Sequence, residues 1–101
     1  MNRMPIALAF FLFSVPALSD DVCDKVSKAA MTVMHGRQDG APMAAMMGAA
    51  QMQDSESYRA LTRELVIDAY RIERRFSDEL KLREVTEFGN RAYQACLESG
   101  T

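Results

Sequence analysis

Three kinds of side chain in this sequence could do chemistry rather than packing: one histidine, two cysteines and a group of methionines. A Ser-His-Asp or Cys-His arrangement would have to use His35 as its base, and no nucleophile stands in a motif such as GxSxG. Carboxylates are plentiful, but on amphipathic helices they form the ordinary solvated face. There is no glycine-rich phosphate loop. The sequence therefore points away from an enzyme and calls for no cofactor.

The methionines offer more. Six of them fall between Met31 and Met52, namely Met31, Met34, Met43, Met46, Met47 and Met52. Thioethers are soft ligands suited to Cu(I), a metal that exported proteins handle. Met31 and His35 lie one helical turn apart, and Met43, Met46 and Met47 could add sulfur to make a metal site. Two other readings stand beside this one. The same methionines are where an apolar core stripe needs them, and methionine also lines adaptable grooves for apolar peptides or lipids.

The cysteines depend on compartment. Arg3 gives a positive start, residues 6–18 are an almost continuous apolar run, and Ala17-Leu18-Ser19 carries small residues where a signal peptidase reads. Residues 1–19 are thus expected to be a signal peptide cleaved before Asp20, leaving residues 20–101 as a single helical domain. An uncleaved anchor competes, but the run falls short of the ~20 residues a spanning helix needs. Lipid attachment is disfavoured because Asp21-Val22 precede Cys23. The expected location is the periplasm, with secretion as the alternative and no membrane insertion after cleavage. In an oxidising compartment, two cysteines permit one intramolecular bridge, Cys23 to Cys96. Closing a ring of about 70 residues is worth roughly 4 kcal/mol in the chain-entropy model, in a domain small enough to need it. A free thiol pair or a bridge between chains would be the other outcomes.

Twelve basic and fourteen acidic residues, interspersed, give a net charge of -2. That argues against nucleic acid, which would call for a basic patch.

The elements that would position these groups are helices. The first should begin at Ser19 or Asp20, bury Val22, Cys23, Val26, Ala30 and Val33, and end at Asp39-Gly40. Met31 and His35 project from its outer face. Arg37 falls on the apolar stripe, either to satisfy terminal carbonyls or to form a partly buried ion pair or anion contact. Pro42 opens a short second helix with Met43, Met46, Met47 and Ala50 inside. Asp54 or Ser55 caps a third, whose Tyr58, Leu61, Leu65, Ala69, Ile72 and Phe76 form one stripe. Its opposite face carries Ile67 framed by Arg63, Tyr70, Arg71 and Arg74, the composition of a small contact surface. Ser77-Asp78 starts the fourth helix. There Leu82, Val85, Phe88, Gly89, Ala92 and Cys96 pack, while Glu79 with Arg83 and Glu87 with Arg91 are spaced for surface ion pairs. No segment alternates with period two. The expected fold is all-α, a small bundle of three to four helices with one disulfide between the first and last.

Cys23, Ala30, Met34, Arg37-Gln38, Gly40, Ala69-Tyr70, Phe88 and Tyr93-x-x-Cys96 together resemble a group of small uncharacterised exported helical proteins with one disulfide, encoded by proteobacteria and their phages. The chain departs from that pattern at Glu73-Arg74-Arg75, where a proline is common. The resemblance implies no catalytic residue, but it marks Arg37, Gln38 and Tyr70 as doing more than packing. The functional expectation is a periplasmic interaction module, monomeric or weakly self-associating, that binds a protein or peptide partner through Arg63, Ile67, Tyr70, Arg71 and Arg74 together with the Arg37-Gln38 turn. A Cu(I)-binding protein and a periplasmic holdase are the alternatives.

Overall fold

The structure, a computed structural model, describes residues 20–99. The leader expected over residues 1–19 lies outside the described residues. Four helices follow in order: α1 (Asp20–Gln38), α2 (Met43–Gln51), α3 (Glu56–Ala69) and α4 (Asp78–Ser99). There is no strand among the described residues.

Local signals account for most of the boundaries. Asp20 and Asp21 sit in the first turn of α1, where the helix dipole favours negative charge. At its other end the Gly40 N–H donates to the Arg37 carbonyl at 3.1 Å and the Ala41 N–H to the Gly36 carbonyl at 2.9 Å. That pair of bonds is a Schellman cap, and Gly40 supplies the positive φ of 91° that it needs. Ser55 caps α3 by accepting the Tyr58 N–H at 3.1 Å, and Ser77 does the same for Leu80 in α4. Pro42 stands at the N-cap of α2, one residue earlier than the spacing suggested.

The helices run up, down, up and down. Tyr58 near the start of α3 reaches the Lys25 carbonyl near the start of α1, and Ile72 just beyond α3 meets Arg37 near the end of α1. The long α4 returns antiparallel along α1, and the Cys23–Cys96 disulfide locks its far end, with Cα atoms 5.5 Å apart. Midway, Gly89 lets the two backbones approach, because a Cβ there would come within 2.5 Å of Met31 Cγ. Ser27 Oγ donates to the Gly89 carbonyl at 3.0 Å. The main core gathers Ala30, Val33, Met34, Leu65, Val66, Ala69, Val85 and Phe88, and a smaller cluster surrounds the disulfide with Val26. Burial of each large apolar side chain contributes about 1.5–3 kcal/mol.

Several expected faces differ. Met31 packs against α4 instead of projecting outward. Val66 and Thr62 are buried beside Leu65 and Ala69, because α3 is covered both by α1 and by α2. Thr62 satisfies its hydroxyl on the Tyr58 carbonyl at 2.8 Å. Val22 and Leu82, expected inside, are exposed, and Phe76 is fully exposed because α3 ends seven residues before it. Glu84 is drawn in from the solvated face by Arg75, with a carboxylate oxygen 2.7 Å and 2.8 Å from two guanidinium nitrogens. Neither expected pair on α4 forms among the described residues. Arg91 instead lies over the Phe88 ring, 5.7 Å from its centroid.

Candidate functional site

The residues singled out around the Arg37-Gln38 turn do come together, but as an internal clasp between two loops. Arg37 Nε donates to the Ile72 carbonyl at 2.9 Å, and its guanidinium stacks 5.0 Å from the Tyr70 ring centroid. This satisfies a carbonyl of the α3–α4 connection, not one at the end of its own helix. Gln38, 1% exposed, donates through Nε2 to the Glu73 carbonyl at 2.9 Å and accepts the Arg75 N–H at 2.7 Å. In return, Tyr70 donates its hydroxyl to the Ala41 carbonyl, and Arg74 donates to the Gln38 carbonyl at 3.2 Å. The Arg74 guanidinium lies against Gly40, where a Cβ would meet it at 3.1 Å. Each loop thus holds the other with side chains. Partial burial raises the Tyr70 phenol above its ordinary pKa, while the Arg37 cation opposes the shift.

The rest of the expected contact face does not converge on this clasp. Arg63 is exposed, with its Nη1 4.0 Å from the Met47 sulfur. Ile67 is half-buried, and Arg71 is exposed and paired with Asp68 at 3.3 Å. The expected soft-metal ligands are likewise dispersed. Met31 faces Gly89 on α4, whereas Met46 lies against Gly36 on the side of α1 that meets α2. Positions 31 and 36 are about 140° apart around a helix. Met43 and His35 are exposed, and Met47 is half-buried on α2. No group of three or more His, Cys, Asp or Glu side chains that could hold a metal occurs among the described residues.

A concave apolar feature lies elsewhere. Both α3 and α4 pack on α1, yet they make no extended contact with each other. The space between them is an open apolar groove of about 750 Å³. Val22 and Val26 of α1 form its floor, Leu61 and Leu65 one wall, and Phe88, Ala92 and Ala95 the other, with Ile72 at one end and Cys96 at the other. Small side chains at Ala92 and Ala95 leave the room that a bulkier α4 would fill. Glu64 and Asp68 edge the α3 wall, and Arg91 edges the α4 wall. The lining holds no histidine, and neither cysteine is free. It holds no methionine either. Among the methionines, Met46 lines a smaller notch of about 400 Å³ beneath α2.

The spacing of Leu61, Leu65, Phe88 and Ala92 identifies them as inward-facing, which they are. It carries no information on whether a neighbour closes over them, so the groove is not legible in the sequence. Comparison with known family models, curated proteins and solved structures finds no match to this chain.

Proposed function

We propose that the protein is a small periplasmic, non-enzymatic interaction module that receives a helical segment of a partner in the groove between α3 and α4. The observation that carries this reading is the unclosed bundle: an apolar floor and two apolar walls, with charge confined to the rims. A partner helix of three to four turns would match the 14 residues of α3, about 21 Å, and complete the packing as helices do in hydrophobic grooves. The disulfide supports an exported location, since such bridges persist in oxidising compartments. The groove replaces the outer face of α3 as the binding surface, because Arg37, Gln38, Tyr70 and Arg74 are engaged in holding the two loops together.

Site-specific photocrosslinking in cells tests this reading. A benzophenone side chain at Ala95, inside the groove, should capture a partner, whereas the same group at Arg63 or Arg71 should not. Capture from the outer positions alone would overturn the assignment.

A further inference from the structure

The rims of the groove are not electrically alike. Glu64 and Asp68 stand on the α3 rim one helical turn apart, about 6 Å along the axis. Asp68 is partly neutralised by Arg71 at 3.3 Å, whereas Glu64 holds no ion pair among the described residues. The opposite rim carries the Arg91 cation, held over the Phe88 ring. A helix lying in the groove would place one flank against two carboxylates and the other flank against a guanidinium.

We infer that the partner segment is an amphipathic helix whose apolar stripe is bordered on one flank by Lys or Arg at positions i and i+4, and on the other by a carboxylate. This rests on the groove reading above and adds the partner's charge pattern. Spacing of i and i+4 on the partner repeats that of Glu64 and Asp68, so both cations are met at once. Rim charges set partner choice more than raw affinity, and salt screens them. Glu64, lacking a competing cation, is the stronger of the two anchors.

Three synthetic peptides with one leucine stripe and flanking Lys, Gln or Glu pairs provide the test, titrated by fluorescence anisotropy against the oxidised protein. At low salt the Lys peptide should bind about threefold to tenfold more tightly than the Gln peptide, with the Glu peptide weakest. High salt should collapse the order. Glu64→Lys should reverse it, and Asp68→Asn should weaken it less than Glu64→Gln does. Circular dichroism of each variant establishes that it is folded. Equal affinities for all three peptides at low salt would overturn the charge pattern and leave the groove reading standing. Absence of binding by any peptide, or binding undiminished by Ala95→Trp, would overturn the groove reading and this inference with it.

Discussion

The side-chain amide of Gln38 is bonded to the backbone of the α3–α4 connection at two points, accepting from the Arg75 N–H at 2.7 Å and donating to the Glu73 carbonyl at 2.9 Å. Arg75 in turn grips Glu84, so a buried side chain at the end of α1 sets where α4 begins. An unsatisfied buried polar group costs about 1–3 kcal/mol. Gln38→Leu orphans a donor and an acceptor together and should lower unfolding free energy by about 3 kcal/mol, measured by urea titration. Gln38→Glu should also destabilise, because it keeps the acceptor but replaces the donor with a buried charge.

The disulfide closes a ring over a sequence separation of 73 residues. Chain entropy alone makes that worth about 4 kcal/mol. The double variant Cys23→Ala/Cys96→Ala should therefore melt roughly 15 °C or more below the oxidised protein, monitored by circular dichroism. Reducing agent should shift the native protein by a similar amount and leave the variant unchanged.

Tyr70 ties alkaline stability to the clasp. Its folded pKa is raised above the ordinary value by burial, so the folded protein holds the phenol proton more firmly than the unfolded chain does. That contribution is complete below about pH 10, the unfolded value, and is lost as pH rises through the higher folded value. Tyr70→Phe removes the bond to the Ala41 carbonyl and should cost about 1 kcal/mol at neutral pH. Its stability should also fall less steeply than the native protein's in urea titrations above pH 10.

Phe76 is fully exposed and contributes nothing to the core. Phe76→Ser should change unfolding free energy by less than about 0.5 kcal/mol. A loss well above 1 kcal/mol in the same urea assay would show that the ring is covered in solution.

Where the chain announces its own boundaries, the fold can be anticipated from local chemistry. Gly40 ends α1, serines cap α3 and α4, and the two cysteines join the ends in the one intramolecular pairing they permit. The end of α3 is different. Residues 70–75 contain neither glycine nor proline, and the apolar stripe continues in register through Ile72 to Phe76. The helix stops because Arg37 and Gln38, more than thirty positions away, bond the backbone of Ile72, Glu73 and Arg75 in place of a further helical turn. No window around Ala69 contains that information. Glu64, Asp68 and Arg91 are similarly indistinguishable from any solvated charges until α3 and α4 are seen to stand apart.

The bridge between Cys23 and Cys96 also determines what happens if the backbone is cut. Every connection between helices falls inside the covalent ring, including the irregular residues 73–75 beside the exposed Phe76. A protease cleaving there would release no fragment. The nicked molecule would migrate as one band without reductant and as two with it, so a single clip could pass unnoticed while both halves remain tethered.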